Sequence, residues 1–215
     1  MQQEFPLEEG KNTLSDKIKF FYENNKILII SSFFILIIIT LSITYYFYSK
    51  DKQKILNAEK YVSAKIDLNN NLNIKAMNAL VQIIESNDKT YSPLSLFLII
   101  DANLIKDDQK IVSYFDIILK NNKFEKEIEN LIIFKKALIQ SSFVDELELL
   151  KTLNVLINSE NLWKSHALLL LGDYFYSKGE FVKAKENYLK ILALNNPDQL
   201  HDYARNRLQQ STNEK

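Results

Sequence analysis

Apolar residues follow two different patterns along this chain. From residue 27 to residue 48 they form one run, ILIISSFFILIIITLSITYYFY, that contains no charged side chain. From residue 51 onward they recur three and four positions apart, as in Ala76, Leu80, Ile83 and Ile84. That spacing is typical of amphipathic helices, and no stretch alternates apolar and polar residues for long enough to predict a strand. The sequence therefore predicts an all-α protein.

The uninterrupted run predicts a transmembrane helix over residues 27–48. At about 1.5 Å per residue this helix is about 33 Å long, close to the hydrocarbon thickness of about 30 Å. Tyrosines cluster at one end, where amphipathic rings favour the membrane interface. A cleaved signal peptide has a shorter apolar core and a small-residue cleavage site, whereas SKDKQK follows this run. The remaining alternative, a buried core helix, is rarely apolar on every side for six turns.

Residues 1–26 form a short tail before the predicted span. Leu14, Ile18 and Phe21 are spaced as on one helix face, which predicts a short interfacial helix, with an unstructured tail as the alternative. The positive-inside rule does not orient the span, because lysines flank it almost evenly. Those before it are Lys11, Lys17, Lys19 and Lys26, and those after it are Lys50, Lys52, Lys54, Lys60 and Lys65.

Polar clusters interrupt the helical pattern of residues 51–215 about every 12 to 20 residues, as in antiparallel helix pairs joined by short turns. The eight clusters lie at residues 69–71, 86–88, 107–108, 121–123, 141–142, 158–160, 178–180 and 195–197. Residues 91–120 and 129–158 each have the length and apolar stripe of one such pair. The sequence therefore predicts a stack of helix pairs behind the span.

One helix pair resembles a tetratricopeptide repeat, a 34-residue helix-turn-helix unit. It is residues 165–198, SHALLLLGDYFYSKGEFVKAKENYLKILALNNPD. With Ser165 as position 1, Gly172 falls at position 8, where the two helices cross closely, and Gly179 falls at position 15, in the turn. These are the two glycines outside the N-terminal tail, and both stand where a small residue is needed. The repeat departs from the pattern at Ile191, where Ala is usual, and Pro197 comes one place late.

The earlier helix pairs lack these glycines, so we interpret them as diverged repeats that the better repeat packs against. Residues 199–210 predict a capping helix that closes the stack. Its packed face carries Leu200, Tyr203, Ala204 and Leu208, and its outer face carries Arg205, Arg207 and Gln209. The predicted fold is thus a single N-terminal transmembrane helix followed by a tetratricopeptide-like helical-repeat solenoid over residues 51–215.

Candidate chemistry is sparse. The 27 basic and 27 acidic residues balance, so no basic field for nucleic acid is expected, and the absence of cysteine excludes disulfides and thiolate sites. His166 and His201 have no partner at metal-ligand spacing. No phosphate-binding loop occurs, and Ser141 and Ser142 lack a glycine elbow. We therefore expect a non-enzymatic protein with no cofactor, no metal and no small-molecule substrate.

A protein-binding groove is the remaining candidate site. His166, Leu169, Asp173 and Tyr176 occupy positions 2, 5, 9 and 12 of the repeat, on the face that lines the concave surface of such solenoids. Those surfaces suit peptides and protein segments. For each residue, simple packing or solvation is the alternative. Trp163 is interpreted as a core anchor between helix pairs, with an exposed partner-binding role as its alternative.

The overall plan resembles the YfgM-like family, the ancillary subunits of the SecYEG translocon with a tetratricopeptide-like domain. The resemblance covers nearly the whole chain and rests on KIKFFYENNKILII leading into the span, on the long Lys- and Ala-rich helix that follows, and on LLLGDYFYSKGEFVKAKENYLKIL near the end. This chain differs in carrying Asn25 where family members often have glycine, and in its Lys-, Asn- and Ile-rich composition.

The resemblance implies a cytoplasmic N-terminus and a periplasmic repeat domain, held in the inner membrane of a Gram-negative bacterium. It further implies association with translocon subunits and a periplasmic chaperone, and assistance to newly exported polypeptides. The same domain type occurs in a coordinator of cell division and envelope constriction. A tetratricopeptide scaffold for envelope assembly or division is therefore the alternative function.

Overall fold

The computed structural model describes residues 14–194 and 199–213 of the 215-residue chain. All regular secondary structure in that part of the chain is helical, which confirms the all-α prediction. The helices are α1 (Leu14–Asn69), α2 (Asn73–Glu85), α3 (Tyr91–Asp101), α4 (Asp108–Asn121), α5 (Lys126–Gln140), α6 (Glu146–Ile157), α7 (Lys164–Ser177), α8 (Phe181–Leu192) and α9 (Gln199–Asn213).

Polar turns separate the helices where the sequence predicts them. Seven of the eight predicted breaks lie between two helices, and the eighth, at residues 195–197, lies outside the described residues. Asp107 caps α4 because its carboxylate accepts a hydrogen bond from the backbone N–H of Lys110 at 3.2 Å. Asp145 caps α6 in the same way, through the N–H of Glu148 at 2.9 Å. The sequence thus encodes both the periodicity of the helices and several of their ends.

The chain divides into two compact units, residues 1–53 and 54–215, and α1 contributes to both. Every described side chain of residues 27–48 is exposed in the first unit. By length and composition this helix can cross a membrane, and none of its most apolar window is buried within the protein. The lack of protein cover argues against the alternative of a buried core helix.

Helix α1 is kinked two residues before the predicted span. Asn25 has non-helical backbone angles, φ −119° and ψ 16°, and its side-chain amide donates to the carbonyl of Phe21 at 3.0 Å. The segment from Leu14 to the kink is helical, as predicted. Within the span, hydroxyl groups donate to helix carbonyls three or four residues earlier at 2.8–3.0 Å. These hydroxyls belong to Ser31, Thr40, Ser42 and Thr44.

Two buried clusters hold the second unit together. One surrounds Leu80 and Phe115 and extends from the end of α1 to α5. The other surrounds Leu153 and Tyr188 and extends from α5 to α9. Each helix from α2 onward packs against the next, and α5 also contacts α7, as α7 contacts α9. Contacts between alternate helices are compatible with a stack of helix pairs, because the first helices of successive pairs then form one layer.

The two predicted glycine positions are confirmed in the α7–α8 pair. A Cβ on Gly172 would lie 2.5 Å from Cε1 of Tyr188, so the two helices cross where only glycine fits. Gly179 has φ +76° in the turn, a backbone conformation that glycine adopts without strain. Both glycines are therefore needed for structural reasons, one for space and one for backbone conformation.

Helix α9 packs against α7 and α8, as expected of a terminal helix, but its faces differ from the prediction. Ala204 is buried as predicted, whereas Tyr203 is 62% exposed. Arg207, predicted on the outer face, reaches Asp173 of α7 at 3.1 Å. The prediction was wrong for Arg207 because this residue lies seven residues, or about two turns, after Leu200 and therefore shares its face. It was also wrong for Tyr203, whose side chain is mostly exposed.

Candidate functional site

The four residues of the predicted groove form one stripe on α7. His166, Leu169, Asp173 and Tyr176 are spaced by three and four residues, and all four are half-buried. This spacing brings their side chains to one side of the helix. The contacts of each side chain identify the helices that this side of α7 packs against.

At its N-terminal end, the stripe packs against aromatic side chains. The His166 ring lies 5.6 Å from the ring of Phe134 on α5 and 5.2 Å from that of Trp163, measured between centroids. Trp163 and Phe134 stack at 5.4 Å, which confirms that Trp163 anchors α7 to α5. Leu169 packs against the buried cluster of α5–α9. This end of the stripe joins α7 to the preceding helix pair.

The other end of the stripe joins α7 to the helices that follow. Asp173 accepts a hydrogen bond from the Tyr188 hydroxyl at 2.8 Å and pairs with Arg207 of α9 at 3.1 Å. Burial raises the pKa of Tyr188 above its ordinary value, and the hydrogen bond to Asp173 adds to that effect. The Tyr176 ring lies edge-on to Phe181, with centroids 5.4 Å apart. Each predicted groove residue therefore has an intramolecular role, and partner binding by them stays a prediction.

An open apolar groove lies between α3 and α5, two helices away from the predicted stripe. It encloses about 460 Å³, within the range typical of ligand pockets. Leu94 of α3 and Ile128 of α5 remain 39% and 45% exposed, so the groove is accessible from solvent. Its lining comprises Lys89, Thr90, Pro93, Leu94, Phe97, Phe124, Glu125, Ile128, Leu131 and Ile132.

The groove residues match the predicted stripe in their spacing along the sequence. Ile128, Leu131, Lys135 and Leu138 of α5 each precede a residue of the α7 stripe by 38 positions. On α3 the matching residues come 34 positions earlier still and are Leu94, Phe97 and Asp101. This offset is a sequence signal for the α5 side of the groove, because the apolar positions of α5 repeat the spacing of the α7 stripe.

Lys135 lies at the edge of the groove. Its Nζ lies 5.9 Å from the ring centroid of Phe97, which lines the groove from α3. The other two lysines of α5 have carboxylate partners, Lys126 with Glu129 at 3.5 Å and Lys136 with Asp116 at 2.6 Å. Among the described residues Lys135 forms no ion pair. Its ammonium is thus the uncompensated cation of α5.

A second, more polar cavity of about 390 Å³ lies between α4, α5 and α6. Its lining includes Lys136, whose Nζ is held by Asp116, and Gln140, whose amide donates to Glu148 at 3.1 Å. The Lys136 ammonium and the Gln140 amide nitrogen are thus already bound to carboxylates of the protein. No group of three or more His, Asp or Glu side chains within residues 14–194 and 199–213 is placed to hold a metal ion.

The fold and the groove define a helical protein with one long apolar N-terminal helix and an open apolar surface on a separately packed helical unit. Comparisons with protein-family models, with curated proteins and with solved structures found no match to this chain.

Proposed function

We propose that this protein is a membrane-anchored, non-enzymatic adaptor that holds polypeptide segments in the groove between α3 and α5. The observation that carries the proposal is that every apolar side chain described in residues 27–48 is exposed. Burying apolar surface contributes about 25 cal/mol per Å², so a helix with this much exposed apolar surface requires a non-aqueous environment. A bilayer supplies that environment along residues 27–48 of the helix.

The groove supports the binding part of the proposal. It combines apolar side chains from two neighbouring helices with charged groups at its rim, the usual composition of a surface that receives a protein segment. Exposed apolar patches on soluble domains commonly mark such interaction sites. Anchoring the groove in a membrane raises its effective concentration near partners in the same membrane.

The finer proposal follows the family resemblance given above. We propose that the N-terminus is cytoplasmic, that residues 51–215 are periplasmic in the inner membrane, and that the partners are SecYEG translocon subunits, a periplasmic chaperone and newly exported polypeptides. The lysines around the span give no charge-based preference for either orientation. Orientation is accordingly tested first, by adding protease to spheroplasts. Digestion of residues 51–215 is the expected result, and their protection contradicts the periplasmic assignment.

The partner is tested by site-specific photocrosslinking in a Gram-negative host that makes the full chain. A photoreactive side chain replaces Leu94 or Ile128, because both positions face the groove and already tolerate solvent. Leu147 of α6, which is exposed and does not line the groove, serves as the matched control.

The expected result is a crosslink from the two groove positions to translocon subunits or to exported chains, absent from position 147. Crosslinks to division proteins in place of translocon subunits would favour the envelope scaffold. Equal crosslinking from all three positions would contradict a binding role for the groove.

A further inference from the structure

We propose that the groove between α3 and α5 selects polypeptide segments that carry an acidic residue beside their apolar residues, with Lys135 pairing with the carboxylate. This inference rests on the proposed function, since it specifies what the same groove binds. Its basis is the combination of an apolar groove with the Lys135 ammonium over its Phe97 wall, which forms no ion pair with the described residues. Lys89, which lines the end of the groove beside Thr90, likewise forms no ion pair with the described residues.

The position of Lys135 within the stack explains why its charge is available. The equivalent residues on α3, α7 and α9 are Asp101, Asp173 and Arg207, so the charge alternates from helix to helix. Asp173 and Arg207 neutralise each other at 3.1 Å. Asp101 instead lies near Tyr61 of α1, where it adds to the effect of burial in raising the pKa of that phenol. Lys135, the α5 residue of this series, is therefore not neutralised by any of these equivalent residues and can pair with a bound segment.

The environment of Lys135 makes that partner a carboxylate. The Phe97 ring, 5.9 Å away, favours the cation through its π face but does not neutralise it. Lys135 is half-buried at the edge of an apolar surface, where water screens a new ion pair less than it does at a fully exposed position. A charge-assisted hydrogen bond to a carboxylate is about twice as strong as one between neutral groups.

The length of the groove sets the spacing within the segment. Thr90, the N-cap of α3, lies at one end and Phe97 at the other, and their separation of seven residues corresponds to about 10 Å along the helix axis. An extended chain covers this distance in about three residues. The selected segment thus places an apolar residue about three positions from its acidic residue.

The test measures the binding of labelled ten-residue peptides to the full chain in lipid nanodiscs, by fluorescence anisotropy. One peptide carries the core Phe-Leu-Ser-Ser-Asp between serines, and its partner has Asn in place of Asp. Both are also made with the core reversed, so that either chain direction is sampled. Thermal unfolding of each protein variant establishes that it is folded.

We expect the acidic peptide to bind at least about fivefold more tightly than its Asn counterpart at low salt, with the difference shrinking as salt screens the pair. Lys135→Gln should reduce the difference to less than about twofold without weakening the Asn peptide, and Lys135→Arg should preserve it. Lys136→Gln, which alters the adjacent lysine already paired with Asp116, should leave the difference intact.

Two outcomes separate the failure of this inference from the failure of the proposed function. If both peptides bind equally and Leu94→Glu abolishes both, the groove binds segments but acidic selection is wrong. If Leu94→Glu leaves binding unchanged, the groove is not the binding site and the proposed function fails with the inference. Lys135-dependent binding of dodecanoate, with no binding of either peptide, would overturn a polypeptide occupant in favour of a fatty acid.

Discussion

The Cβ that alanine would add at Gly172 meets the Tyr188 ring at 2.5 Å from Cε1 and 2.8 Å from Cδ1. Tyr188 is fully buried and its hydroxyl is fixed by Asp173, so the ring has little freedom to move away. The absence of a side chain at residue 172 is thus what allows α7 and α8 to pack together.

Gly172→Ala is expected to lower the free energy of unfolding by about 1–3 kcal/mol, the usual cost of overpacking a core. Urea unfolding followed by circular dichroism measures it. The Tyr188→Leu background removes the ring, so Gly172→Ala should cost less there than in the wild type. Equal costs in both backgrounds would show that the ring is not the cause.

Gly179 should respond differently because its constraint is backbone conformation. A Cβ there meets nothing within 4 Å, but φ is +76°. Gly179→Ala is expected to cost about 1 kcal/mol of stability, and Gly179→Asn less, since asparagine tolerates positive φ better. The same urea assay compares the two variants. An alanine variant as stable as the asparagine variant would contradict the conformational argument.

Trp163 should stabilise the packing of α7 against α5, whereas the adjacent Leu162 should not. Trp163→Ala removes the stack on Phe134 and is expected to cost about 2–4 kcal/mol, toward the lower end for a half-buried ring. Leu162→Ala is the control, because Leu162 is 76% exposed and should change stability by less than about 0.5 kcal/mol. Similar melting temperatures for the two variants would rule out the anchoring role.

High pH should weaken the fold through Tyr188. Its folded-state pKa is raised above the ordinary value of 10.0, first by burial and then by the hydrogen bond to Asp173. Above pH 10 the unfolded chain therefore binds fewer protons than the native protein, and the free energy of unfolding falls as pH rises. Tyr188→Phe should make this decline shallower, as measured by urea unfolding between pH 9 and pH 11. Tyr203→Phe on the exposed side of α9 should leave the decline unchanged.

Membrane attachment should depend on residues 27–48. The full chain is expected to stay with the membrane pellet after alkaline carbonate extraction. Replacing Ile35 and Ile39 by lysine should release it, because each central lysine costs about 2.5–3.5 kcal/mol of insertion free energy. The same substitutions at Ile55 and Val62, exposed apolar residues outside the span, serve as controls and should leave the chain in the pellet. Retention of the Ile35 and Ile39 variant would contradict the assigned span.

The helices and their ends were largely predictable because local signals specify them. Polar turns, aspartate caps and the two repeat glycines all depend on residues close together in the chain, and seven predicted breaks fall between helices. The predicted α7 stripe also lies on one face of that helix. The position of the open groove was not predictable in the same way. Leu94 and Ile128 are 34 residues apart in sequence and line one groove only in the folded chain.

The sequence by itself determined a helical protein with one continuous apolar segment, because both properties follow from the spacing of apolar residues along the chain. The tertiary structure decided which charges remain without a partner. Asp173 and Lys135 hold equivalent helix positions, yet Asp173 is satisfied by Tyr188 and Arg207, and Lys135 lies over Phe97 with no carboxylate among the described residues. The physical reason is that pairing depends on distances across helices, which are set by packing and not by position in the chain.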